Sequence, residues 1–355
     1  TLNQADFVLN GSIDSINVNN YTYRSIETNA RFTKEFFEGF VQIHDPNLKL
    51  DLNGSIDLRG GIDFFNIQAK LDTAFLGKLN LTDESVFVRS NLNINAQGLT
   101  VDDALGSANF KNTIIQKGGQ TLSIDSLGII SDRDEAIRNI FVSTNLFNAK
   151  IDGEFEFSTV YKEIKRLLFE YQLNLENDKA SLDKYYSSIR EQPTDYRMNF
   201  VVNLNDFEPI AKVFSPDLFI SASTKIDGNL IGGYTSILNV NSVIDSVNFR
   251  RDFFLDNEIQ LDVSKISDST SVLASLYVTS EREQIANVQT KGLFLEAIWN
   301  DKHIDFEFDL DQVVYPNYVR LIGEVDFMDN KTDIKFDPSD IKVLDDKWSL
   351  RADNL

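Results

Sequence analysis

The 355 residues predict a mainly β protein, an elongated, trough-shaped antiparallel β-sheet interrupted by a helical insertion. Three observations lead there. Apolar residues recur with a period of two over runs of five to eight residues, as in strands with one wet and one buried face. Between these runs lie Asn, Asp, Gly and Ser, which tolerate turn geometry. Asp outnumbers Glu by 37 to 18 and Asn reaches 33, whereas a helical chain favours Glu and Lys. The third observation is length. Open twisted sheets beyond roughly ten strands curl or split. A sheet of about 25 strands, at about 4.8 Å per strand, extends on the order of 100 Å.

The elements follow in chain order. Leu48, Leu50, Leu52, Ile56 and Leu58 alternate with polar residues, broken only at Asn53-Gly54. Leu92 and Ile94 repeat the pattern, and the run Ile151 to Phe157 places Phe155 and Phe157 on the same strand face as Ile151. Helical spacing then takes over: Val160, Ile164, Leu167, Leu168 and Tyr171 form one stripe, with Lys162, Lys165 and Arg166 opposite. A weaker helical run covers 181–190 and ends before Pro193. A third starts with Asp206 as N-cap and stops before Pro216. Alternation returns in Ile259, Leu261 and Val263, and in Ile304, Phe306, Phe308 and Leu310. The chain thus divides into a β segment at 1–157, a helical insertion at 158–192 and a continuing β segment at 193–355. Asn10-Gly11-Ser12-Ile13-Asp14 recurs unchanged from Asn53 to Asp57. Looser copies open at Gly98, Gly153, Gly228 and Gly323, too irregularly for a propeller or a strict β-helix.

Composition narrows function. Lys and Arg number 34 against 55 Asp and Glu, a net charge of −21. Nucleic acid is excluded as a partner, since affinity there rests on neutralising phosphates. The absence of Cys removes disulfides, thiolate nucleophiles and sulfur-rich metal sites. His44 and His303, the only histidines, lie far apart without metal-ligand neighbours at helical spacing. No phosphate-binding loop, zinc-protease motif or nucleophile–His–acid cluster occurs. The expectation is a non-enzyme with no cofactor and no metal. Asp305, Glu307, Asp309 and Asp311 resemble a calcium site only superficially. Same-face neighbours on a strand lie about 6.7 Å apart, too far for four carboxylates to share one ion. They are expected to form a solvated outer face.

A family resemblance enters through particular blocks. Tyr21-Thr22-Tyr23, Phe36-Phe37-Glu38-Gly39, His44-Asp45-Pro46-Asn47-Leu48 and Leu52 to Asp57 resemble the large AsmA-like, TamB-type translocation and assembly module proteins of Gram-negative envelopes. Asp125-Ser126-Leu127, Ile151 to Phe155 and the helix from Ser158 to Tyr171 continue the likeness, which lies in cadence more than in any one motif. It implies a β-taco of the bridge-like lipid-transfer type, in the periplasm, with the present chain an interior segment. The inner-membrane anchor helix and the region meeting an Omp85-type outer-membrane barrel would both lie outside the segment. The function implied is conduction of phospholipid between inner and outer membranes, with acyl chains as the ligand.

The residues expected to line such a groove are Leu48, Leu50, Leu52, Ile56, Leu58, Leu92, Ile94, Phe155, Phe157, Ile259, Leu261, Val263, Ile304, Phe306, Phe308 and Leu310. Alternation alone fits the filled core of a sandwich or barrel equally well. Two other functions stay open: a scaffold or chaperone for outer-membrane protein assembly that pairs clients along its sheet edges, and an all-β extracellular binding module. The helical insertion has three possible roles: filling the trough, gating it, or lying on a membrane surface.

Overall fold

A computed structural model describes residues 6–188, 193–215, 217–328 and 331–350. It is 67% strand and 10% helix, with 22 antiparallel strands in one open sheet and three helices, α1 (Phe157–Glu176), α2 (Lys179–Ser188) and α3 (Glu208–Phe214). The chain divides into two compact units, Thr1–Lys150 with Asn205–Pro216, and Ile151–Leu204 with Asp217–Leu355.

In the first unit the strands follow one another as hairpins: β1 (Phe7–Val18), β2 (Tyr21–Phe32), β3 (Phe36–Asp45), β4 (Leu48–Asp57), β5 (Phe64–Phe75), β6 (Val86–Gln97), β7 (Leu105–Lys117), β8 (Gln120–Asp134) and β9 (Ile137–Thr144). Each pairs with the next. The turns explain the tight register. Asn19 and Asn20 have φ of 51° and 61°, and Gly118 and Gly119 have 57° and 82°. Positive φ at both central residues is what a two-residue hairpin matching the strand twist requires. The short helix α3 packs against β8.

The strand β10 (Phe147–Glu154) spans the boundary between the units. The second unit contains α1, α2, β11 (Tyr196–Leu204), β12 (Leu218–Ile220), β13 (Lys225–Gly232), β14 (Thr235–Phe249), β15 (Asp252–Ile266), β16 (Val272–Ile285), β17 (Val288–Asn300), β18 (His303–Gln312), β19 (Tyr318–Met328), β20 (Lys331–Phe336), β21 (Ser339–Val343) and β22 (Asp346–Leu350). From β13 to β19 each strand again pairs with the next. β11 joins β13, β12 pairs with the far end of β14, and both β20 and β21 pair with β19.

Four expectations are corrected. The strand read as Ile151 to Phe157 stops at Glu154; Phe155 is buried beyond it, and Phe157 is the first residue of α1. Their rings meet edge to face at 5.4 Å. Leu58 lies one residue past the end of β4. Most instructive is α1, where Val160 and Leu167 are buried but Ile164 and Leu168 are 39% and 68% exposed. The packed side instead takes in Glu163, Arg166 and Glu170, because an ion network holds the helix down. The second helix covers Lys179–Ser188, and the expected end at 190 lies outside the described residues. In α3 the N-cap position is Phe207, with Asp206 Oδ1 accepting the Glu208 N–H at 3.2 Å.

Candidate apolar binding face

Residues opposite each other on neighbouring strands share a face, so the register fixes which side chains lie together. In the first unit, Gly54, Ile67, Ile94, Ala108, Ile129 and Val142 form one unbroken cross-strand row from β4 to β9. The next row reads Leu52, Ala69, Leu92, Phe110 and Leu127. Leu50 with Leu71, and Ile56 with Phe65, extend the same face. Hydroxyls on this face answer each other or the backbone: Ser90 and Thr113 are 2.7 Å apart, and Thr28 Oγ1 donates to Phe40 O at 2.8 Å.

The second unit repeats the arrangement. One row runs Leu238, Val263, Ala274, Trp299, Ile304 and Val325. The next runs Val240, Leu261, Leu276, Ala297, Phe306 and Gly323. A third holds Ile259, Val278, Leu295, Phe308 and Leu321, and Leu310 pairs with Val319. Glycine has a defined role here. Gly228 opposes Phe200 and Gly323 opposes Phe306, and in each pair the ring lies over the glycine. An added Cβ would meet the ring at 2.8 Å. The Gly-led repeats of the sequence thus include seats for cross-strand aromatics.

Of the residues singled out from sequence, Leu50, Leu52, Ile56, Leu92 and Ile94 share the apolar face of the first unit, with Leu48 at its rim opposite Ala74. Ile259, Leu261, Val263, Ile304, Phe306, Phe308 and Leu310 share that of the second. Phe155, Phe157 and Leu58 do not sit on these ladders. The face also takes in Ile67 and Phe110, flanked by polar residues and so legible by alternation, and Ile129, Leu276 and Leu295, which sit in continuous apolar runs where alternation gives no face.

The two faces differ in exposure. Leu50, Leu52, Ile67, Leu92, Phe306 and Phe308 are half-buried, shielded by neighbours without being sealed. On the opposite face Asn53, Gln68, Asn93 and Asn109, an amide row across four strands, are all exposed. A shallow recess of about 490 Å³ on that polar side is bordered by Phe40, Gln42, Asn53, Gln68 and Asn93.

Charges concentrate away from the apolar rows. Asp305, Asp309 and Asp311 lie on the outer face of β18, where Arg320 reaches Asp309 at 3.4 Å and Asp311 at 2.7 Å. His303 Nδ1 lies 2.7 Å from Asp326 and Nε2 lies 3.0 Å from Asp305. These bonds to Asp326 and Asp305 hold its pKa above the usual histidine value. His303, Asp305 and Glu324 could bring ligand atoms within 4.8 Å of one another, but Lys335 Nζ already sits 2.7 Å from Glu324 and 2.8 Å from Asp326. That ammonium supplies the positive charge a metal would bring, so the cluster is an ion network.

The other network lies beneath α1. Lys265 and Glu170 have no exposed side-chain surface and stand 3.3 Å apart. Arg166 bridges Glu170 at 3.1 Å and Glu163 at 2.6 Å, and reaches Ser236 Oγ at 3.1 Å. Tyr185 OH donates to Glu170 at 3.0 Å. Burial pushes the Lys265 pKa down, against the opposing pull of Glu170. Desolvation likewise pushes up the phenols of Tyr171 and Tyr196, each to about 12. Nothing in the sequence linked Glu170 to Lys265, 95 positions apart.

Among the described residues no helix is long and apolar enough to cross a membrane. No family model, curated protein or solved structure matches this chain.

Proposed function

We propose that the chain is a segment of a TamB-type periplasmic lipid conduit, in which the apolar face of each unit carries phospholipid acyl chains between the inner and outer membranes. The observation that supports this most is the set of cross-strand rows: one in the first unit and two in the second are apolar or Gly over six successive strands, and most of their residues are half-buried. An acyl chain taken from water onto such a face gains about 0.8 kcal/mol per buried CH₂. Neighbouring positions along a row are chemically alike, so a chain moving across strands meets no deep trap. Head groups stay in water, and direction is set elsewhere in the full protein.

The test is extraction of lipid from vesicles of phosphatidylethanolamine and phosphatidylglycerol, followed by size exclusion and phosphate assay. The chain is expected to retain phospholipid, and Phe306→Asp and Leu50→Asp, still folded by circular dichroism, are expected to lose it. An unpaired charge on an apolar face is a barrier of several kcal/mol, about 2–7 for a merely polar group and more for an ion. Retention unchanged in both variants would refute the conduit.

A second function is favoured by one observation. β1 pairs only with β2 among the described residues and exposes Phe7, Leu9, Ile16 and Val18. An apolar edge strand is a template for pairing with another strand, which suits a scaffold for outer-membrane protein assembly.

A further inference from the structure

We infer that α1 forms one wall of the acyl-chain path in the second unit, with Ile164, Leu168 and Leu175 contacting lipid; this rests on the conduit reading and assigns it a surface outside the sheet. The placement of α1 comes first. Arg166 reaches Ser236 on β14, Glu170 reaches Lys265 on β15, Tyr171 OH donates to Leu273 O on β16 at 2.7 Å, and Asn177 Nδ2 donates to Met328 O on β19 at 2.6 Å. The helix therefore crosses the strands in order, along the same direction as the apolar rows.

Its rotation comes next. Ser236, Lys265 and Val272 form the outermost row at this rim, and Ala274, Trp299 and Ile304 form the row one step inward. Glu170 contacts the rim row, whereas the Tyr171 ring packs on Trp299 of the inward row at 5.5 Å. Each residue advances about 100° around a helix. Passing from Glu170 through buried Leu167 to Tyr171 therefore turns from the rim toward the middle of the apolar face. Ile164, Leu175 and Leu168 come next in the same sense, within about 60° beyond Tyr171. They are 39%, 53% and 68% exposed, so this inward side of α1 is apolar and uncovered. Further round, on the side away from the sheet, stand exposed Tyr161, Gln172, Lys165 and Glu176, then Phe169, whose ring meets Tyr185 of α2 at 5.1 Å, and Lys162.

An apolar stripe running beside the rows, on a helix whose buried underside is anchored through the ion network, is complementary to one occupant, an acyl chain lying between helix and sheet. The buried underside, where Val160, Leu167 and Leu173 flank the ion network, holds the wall in place.

The experiment incorporates benzoylphenylalanine at position 168, at 162 and at 306, one at a time, and irradiates each protein after exposure to phosphatidylethanolamine–phosphatidylglycerol vesicles. Position 306 reports on the sheet face itself. Lipid adducts at 306 and at 168, severalfold above those at 162, are expected. Adducts at 306 with none at 168 overturn the helical wall while leaving the conduit intact. No adducts at 306 overturn the conduit and the wall with it. Equal adducts at 162 and 168 overturn the wall as well, because they mean adsorption of the whole helix to a bilayer surface. Leu168 is exposed enough that its replacement leaves folding intact, which circular dichroism verifies.

Discussion

Lys265 has no exposed side-chain surface and depends on Glu170 for its counter-charge. Removing one partner of such a pair leaves an uncompensated buried charge, which costs about 3–5 kcal/mol. Glu170→Gln is therefore expected to lower the unfolding free energy of the second unit, measured by urea unfolding, by that amount, and a loss below about 1 kcal/mol would show that the pair is not buried as described. His303 gives a different kind of prediction. Asp326 and Asp305 raise its pKa, so the folded state binds its proton more tightly than the unfolded chain does. That stabilisation is fully present below the unfolded value of about 6.5 and fades as pH rises through the higher folded value. Compared with His303→Gln, the native protein is expected to gain in thermal stability at about pH 5.5 and to lose the advantage by about pH 9. An NMR titration placing His303 at or below about 6.5 would contradict the arrangement.

At the level of elements, glycine placement is the most specific claim. A Cβ at Gly323 would meet Lys335 O at 2.4 Å and the Phe306 ring at 2.8 Å. Gly323→Val is expected to cost at least about 1–3 kcal/mol, since a packed ring and a neighbouring backbone cannot both give way. Unchanged urea unfolding would mean that β18 and β19 are not paired in this register. The strands themselves were legible because side chains project with a period of two, and apolar alternation from Leu48 to Ile56 or Ile304 to Leu310 maps directly onto one face. Legibility failed where that period outlived the ladder. Phe155 and Phe157 continue the alternation past Glu154, and α1 begins with Glu156 at its N-cap and no side-chain capping bond to announce it. The helical stripe misled for another reason. Exposed Ile164 and Leu168 have the same spacing as core residues, while the attachment of α1 runs through Glu170, Arg166 and Lys265, a long-range pairing that local pattern does not encode.

Across the whole molecule the decisive property is chemical continuity along the rows, not any single site. Among the described residues, antiparallel strands with an apolar, largely half-buried face on each unit and an exposed amide row opposite that of the first suit a ligand that is long, apolar and uniform. A filled core would instead seal those side chains. The measurement that tests this most directly is native mass spectrometry with lipid extraction, on the chain purified under mild conditions from a Gram-negative periplasm. Co-purified phospholipid, lost in a folded variant carrying both Leu50→Asp and Phe306→Asp, is the predicted result. A lipid-free protein with a compact, closed scattering profile would contradict it and make the apolar rows an ordinary filled core.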